Sequence, residues 1–200
     1  MTRVIETSSV RDRILATASD LFYRQGYRAT GVNQVIAASG VAKASFYSHF
    51  PSKDDLLYAY LAAAARQDLD DLHAEVEARS GAKARFFAPL EMLVPWFESS
   101  DYRGCPFQNI VAEAPPSDPR VRTLARAHRD NVRTLLRTLA EDVLNQRPPA
   151  RRPAAPPLDP DALAEVYQLL LEGAIATAVA YRTRRPVDKA IQTLEHLLEA

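Results

Sequence analysis

The stretch from Thr30 to Lys53, TGVNQVIAASGVAKASFYSHFPSK, constrains the fold of this chain more than any other. Val32, Val35 and Ile36 fall at helical spacing and predict a short helix over 32–39, with Thr30 or Gly31 available as its N-cap. Gly40 stops that helix, because glycine accepts the left-handed backbone that closes a helix, and Val41 supplies an apolar plug between two helices joined at a steep angle. A second short helix is expected over about 42–50. Its buried face is Phe46 and Phe50, four residues apart, which turns Lys43, Ala44, Ser45, Tyr47, Ser48 and His49 outward. Short residues let a helix backbone approach base edges, while Lys, Ser, Tyr and His donate to phosphate oxygens. The pair therefore reads as a DNA-binding helix-turn-helix.

Charge distribution agrees. The whole chain is formally neutral, yet residues 1–53 hold seven Lys and Arg against three Asp and Glu. Positive charge thus collects on the end that would meet phosphates.

From Gly26 to Leu57 the string G-Y-R-A-T-G-V, a Gly-Val turn, A-K-A-S-F-Y-S-H-F and P-S-K-D-D-L-L resembles the N-terminal domain of the TetR family of bacterial transcriptional regulators. The resemblance implies that Thr30, Lys43, Ala44, Ser45, Tyr47, His49 and Lys53 face DNA. Two departures stand out: Ala42 replaces a common Ser, removing a helix cap of about 1 kcal/mol, and Ala44 replaces a common Gly, making the base-facing surface bulkier.

The rest of the chain reads as helices. Ile14, Leu15, Ala18, Leu21 and Phe22 form an amphipathic stripe over 10–25, and residues 1–9 are expected to fray. Ser52 with Asp55 is a capping-box signature for a long connecting helix over about 53–79. The next helix, about 82–99, contains Pro89 and Pro95 and should bend or split. A loop over 100–104, a short helix through CPFQNIVAEA and a long helix to about 146, capped by Ser117 or Asp118, follow. The tract 147–160 has six prolines and no apolar period, so it reads as a disordered or extended linker. Two closing helices are expected, from Pro160 to about Arg182 and from Pro186 to about Glu199; small residues on the first admit a close helical neighbour.

The expected organisation is all-α: a three-helix DNA-binding domain over 10–54, then a ligand-binding and dimerisation domain over 55–200. With 47% hydrophobic residues, disorder of the whole is excluded. A single cysteine rules out an intramolecular disulfide, and no secretory signal or 18-residue apolar run is evident, so a cytoplasmic protein without a membrane span is expected. His73, His128 and His196 show no metal-ligand spacing, and no catalytic constellation or cofactor motif is present. No enzyme activity, metal or cofactor is expected.

The aromatics of the middle region read first as core. The family resemblance also implies an effector cavity there, for which Trp96, Phe97, Tyr102, Cys105, Phe107 and Asn109 are the candidate lining, with Tyr167 and Tyr181 as second candidates and Gln108 and Glu113 as polar neighbours. Pro106 suits a first helical turn and places Cys105 at its cap, beside Arg103, a setting that favours reaction with electrophiles. The alternative is a buried, inert cysteine. The expected partners are double-stranded operator DNA, a small-molecule effector and a second copy of the chain, the last two helices pairing as a four-helix bundle. The reading that results is a homodimeric repressor released from a pseudo-palindromic operator by an apolar or aromatic ligand or an electrophile. A ligand-independent scaffold or activator with a solid core is the alternative.

Overall fold

The computed structural model describes residues 9–114, 118–146 and 158–199. Among them there is no strand, and ten helices follow one another: α1 (Val10–Gln25), α2 (Val32–Ser39), α3 (Lys43–His49), α4 (Lys53–Glu77), α5 (Ala82–Glu91), α6 (Leu93–Ser99), α7 (Pro106–Glu113), α8 (Pro119–Asn145), α9 (Pro160–Tyr181) and α10 (Arg185–Glu199). The expected linker falls mostly on 147–157, and the fraying ascribed to residues 1–9 mostly on 1–8, outside the described residues; so does the cap proposed at Ser117.

Local chemistry accounts for several boundaries. Gly40 closes α2 with φ of 65°, and Ser52 Oγ accepts the Asp55 amide at 3.0 Å to open α4. Ser9 caps α1 in the same way, accepting from the Asp12 amide at 3.1 Å. Asp159 accepts from the Ala162 amide at 3.2 Å, with Pro160 as the first residue of α9. The proline-bearing helix is split. It breaks at Met92, whose amide still bonds the Ala88 carbonyl at 3.0 Å, and Pro95 falls in the first turn of α6, where its missing N–H costs nothing.

The chain folds as two compact units. Of the described residues, one unit gathers those up to Ala65 together with those between Pro106 and Ala125; the other takes Arg66–Cys105 and those from Arg126 onward. In the first, Ile14, Ala18 and Phe22 of α1, Val35 of α2, Phe46 of α3 and Leu56, Leu57, Tyr60 and Leu61 of α4 are buried. Phe22 meets Tyr27 and Tyr60 edge-on at 5.3 and 5.7 Å. Burial of Phe46, which is 0% exposed, contributes about 2 to 3 kcal/mol and fixes which side of α3 looks outward.

The second unit is built round Phe86, Leu90, Phe97, Leu136, Tyr167, Ala178 and Leu194, all buried. Along α8 and α9, Arg129 grips both oxygens of Glu172 at 2.9 and 3.0 Å, and Arg137 meets Asp161 at 2.7 Å. Solvent screens such exposed and partly exposed pairs, so the apolar core dominates. α9 is long and apolar enough by length and composition to cross a membrane. Its Leu163, Ala164, Tyr167, Leu171, Ala174, Ile175 and Ala178 are, however, buried in this unit.

Candidate nucleic-acid interface and effector region

Because Phe46 and Phe50 are drawn inward, α3 presents one polar face to solvent. Lys43, Ala44, Tyr47, Ser48 and His49 are exposed and Ser45 is half-buried. Ser48 Oγ donates to the Ser45 carbonyl at 2.8 Å, which ties that hydroxyl to its own helix. Tyr47 rests edge-on against Phe46 at 5.2 Å with 43% of its surface still open. Ala42 caps α3 without a side-chain bond, as its methyl requires. This surface combines short side chains with donors and carries no acidic group.

Thr30 does not belong to it. Its side chain is 0% exposed, and its hydroxyl donates to the Gly26 carbonyl at 2.8 Å inside the turn between α1 and α2. Gly31, not Thr30, is the N-cap of α2. The expectation that Thr30 faces DNA is therefore corrected: closing the turn takes up its only donor.

Lys53 begins α4 half-buried, with its ammonium 4.1 Å from the centroid of the Tyr27 ring. Partial burial lowers its pKa, while Asp54 and Glu113 act in the opposite direction. The Tyr27 hydroxyl donates to the Asp54 carboxylate, and burial together with that bond raises the phenol pKa. From the far side, Glu113 Oε2 accepts the Arg28 amide at 2.9 Å. Glu113, a polar neighbour of the expected effector cavity, here braces the turn that leads into α2. Neither Tyr27 nor Glu113 carries a local sequence signal for this role, since their partners lie 27 and 85 residues away.

The expected effector residues divide between the two units. In one, Trp96 lies against buried Phe97 at 5.3 Å, and Tyr102 stacks on Phe97 at 5.4 Å with an interplanar angle of 4°. Asp101 and Tyr102 both adopt positive φ, 51° and 57°. Arg182 holds them, pairing with the Asp101 carboxylate, donating to its carbonyl at 3.2 Å and lying over the Tyr102 ring at 5.6 Å. Gly104 is required next, because a Cβ there would meet Val179 Cγ2 at 2.7 Å. Half-buried Cys105 ends this segment. Phe107, buried, and Asn109, half-buried, lie on α7 in the other unit. Tyr167 is fully buried, its hydroxyl donating to the Phe86 carbonyl at 2.8 Å; it is a core residue rather than a pocket wall.

A groove of about 620 Å³ runs along α9 and α10, lined by Leu169, Gly173, Thr177, Tyr181, Arg185 and Pro186 among others. Of the expected cavity residues only the second candidate Tyr181 reaches it. Along α9, Val166, Leu169 and Tyr181 are exposed at 38%, 74% and 76%.

Comparison with known proteins matches both parts of the chain. Residues 14–60 fit the family described as bacterial regulatory proteins, tetR family, and residues 82–194 fit the Tetracyclin repressor-like C-terminal domain. The HTH-type transcriptional repressor DhaR of Mycobacterium sp. (strain GP1) is 29% identical over 185 residues, spanning 90% of this chain and 87% of that protein. The HTH-type transcriptional repressor ComR of Escherichia coli (strain K12) is 29% identical over 188 residues, 91% of this chain and 84% of its own. A crystal structure of a TetR-family transcriptional regulator from Streptomyces coelicolor superposes with a TM-score of 0.80 at 28% identity, covering 95% and 94% of the two chains.

Proposed function

The chain belongs to the TetR family of bacterial transcriptional regulators, and from that premise we propose that it is a cytoplasmic homodimeric repressor that leaves a pseudo-palindromic operator when a small effector binds. The observation that supports this reading is the outward polar face of α3, which leaves Lys43, Ala44, Tyr47 and His49 exposed and Ser45 half-buried, with half-buried Lys53 at the start of α4; in this proposal Lys43, Ala44 and Ser45 read bases, and Tyr47, His49 and Lys53 meet phosphates. Residues 10–54 serve as the DNA-binding domain and 55–200 as the regulatory and dimerisation domain.

Dimerisation follows from the physics of reading DNA. One helix pair covers little of an operator, whereas two-fold pairing sets two recognition helices in successive major grooves, about 34 Å apart. The exposed apolar row of α9, with Gly173 leaving open space where a side chain would stand, suits a second copy packed against α9 and α10. The effector acts by population shift: it binds the arrangement of the two heads that cannot span the operator more tightly than the one that can. A coupling of about 1 to 3 kcal/mol changes operator affinity about 5- to 150-fold. Trp96, Phe97, Tyr102, Cys105, Phe107 and Asn109 remain the residues proposed to sense a small apolar or aromatic ligand or an electrophile.

The test is release from a retained DNA fragment on titration with hydrophobic and aromatic compounds and, separately, with a quinone or an aldehyde. Wild type and Cys105→Ser are compared. Release of wild type by at least one class supports the reading, and loss of the response to electrophiles alone in the serine variant places the trigger at the thiol. If no compound releases the DNA, the ligand-independent alternative stands.

A further inference from the structure

Glu113 occupies an unfavourable place for a carboxylate. It is the last residue of α7, where the helix dipole repels negative charge. What holds it is the turn between α1 and α2. One oxygen accepts the Arg28 amide at 2.9 Å, a charge-assisted bond. The other lies 2.7 Å from the point where a Cβ on Gly26 would stand, so the carboxylate packs directly against a bare glycine backbone whose φ is +93°. The Gly26 carbonyl in turn receives the Thr30 hydroxyl, and Tyr27 between them is bonded to Asp54 and capped by Lys53. The turn that sets the angle of α2 and α3 on α1 is thus braced from within by Thr30, from α4 by Asp54 and Lys53, and from α7 by Glu113. Of these braces Glu113 is the one that comes from beyond residue 65, and α7 follows directly in the chain from Cys105.

We infer that Glu113 is a positioning residue for DNA reading: its carboxylate fixes the Gly26–Arg28 turn and through it the presentation of α3. This rests on the reading of α3 as the DNA-contacting helix. Two properties of the side chain are separable. Reach is needed to accept the Arg28 amide, and negative charge acts on nearby Lys53 and, at longer range, opposes phosphate. If position is the function, reach matters and charge does not.

Three variants divide these properties: Glu113→Gln keeps reach and an acceptor oxygen but loses charge, Glu113→Asp keeps charge and loses reach, and Glu113→Ala loses both. The readouts are hydrogen exchange at the Arg28 amide and affinity for a DNA fragment retained by the wild type, with thermal melts to confirm folding. The inference predicts that the Gln variant protects the Arg28 amide and binds DNA as tightly as wild type or slightly more so. The Asp and Ala variants should lose protection and bind about tenfold more weakly, the equivalent of one such hydrogen bond. Because the Asp variant conserves charge and most of the volume, it keeps the test valid should the Ala variant unfold. Folded Asp and Ala variants with wild-type affinity and Arg28 protection overturn the inference, as does a Gln variant as weak as Ala. A wild type that retains no DNA defeats the DNA reading itself and this inference with it, a failure visible before any variant is compared.

Discussion

The Lys53 ammonium lies 4.1 Å from the centre of the Tyr27 ring, and the hydroxyl of that ring donates to Asp54, the next residue after the lysine. One aromatic side chain thus orients a cation through its face and an anion through its hydroxyl at the start of α4. A lysine held over a ring has less freedom to lose when it meets a phosphate than one on a bare surface.

Lys53→Ala should accordingly weaken binding to all DNA sequences alike. Each lost phosphate contact lowers the slope of log affinity against log salt by about 0.9, hence about 1.8 per dimer. Tyr27→Phe keeps the ring and should preserve most of the slope. An unchanged slope in Lys53→Ala would remove this lysine from the interface.

Substitutions at Lys43, Ala44 and Ser45 should instead change which base pairs are preferred. Each altered base contact is expected to shift discrimination at its position by about 1 to 3 kcal/mol, measured by competition among single-base operator variants. If all three positions are changed and the preference profile stays the same, α3 is not the reading helix.

His128 offers a pH test in the second unit. Its Nε2 is 3.4 Å from Asp68 Oδ2, and burial, with help from the neighbouring Arg129 charge, lowers its pKa from 6.5 to about 4. The unfolded chain takes up this proton first, so stability is complete above pH 6.5 and is lost as the pH falls towards 4, by at most about 3 kcal/mol. Asp68 acts in the opposite sense: burial raises its pKa to about 6, and it adds stability as the pH falls from 6. With its side chain 48% exposed, water screens that effect, and the histidine should prevail. His128→Gln should therefore reduce the loss of Tm between pH 7 and 4.5. A loss equal to that of the wild type would show that acid acts elsewhere.

Leu169 is 74% exposed within one chain and lines the groove on α9 and α10. Leu169→Lys should leave the helical signal intact and weaken self-association by about two orders of magnitude, since both copies lose the burial of a leucine. Sedimentation over a concentration series reads this directly. A variant that remains as dimeric as wild type places the interface elsewhere.

Most of the helical framework was legible in the sequence, because helix ends are written locally. Gly40, Pro160 and the Ser52–Asp55 pair mark boundaries within one turn of the residues that cause them, whereas the Asp159 cap shows only in the fold. The prolines at 89 and 95 foretold a broken helix, although the break at Met92 depends on which carbonyls find donors. What was not legible is the fate of polar groups whose partners are distant. Thr30 looks the same in the sequence whether its hydroxyl closes a turn or faces a phosphate. Glu113 and Tyr167 likewise acquire their roles from backbone groups 85 and 81 residues away. The folding of α7 and the start of α8 into the unit that holds α1 to α3 belongs to the same class, since no local period records it.

Mixing the purified protein with a random DNA library and sequencing what it retains through successive rounds tests most directly whether this chain reads DNA as a dimer. A dimeric reader should enrich one pseudo-palindrome whose half-sites lie about one helical turn apart, or a multiple of it, with an even number of chains bound per site. Retained DNA no different in sequence from the input would contradict it.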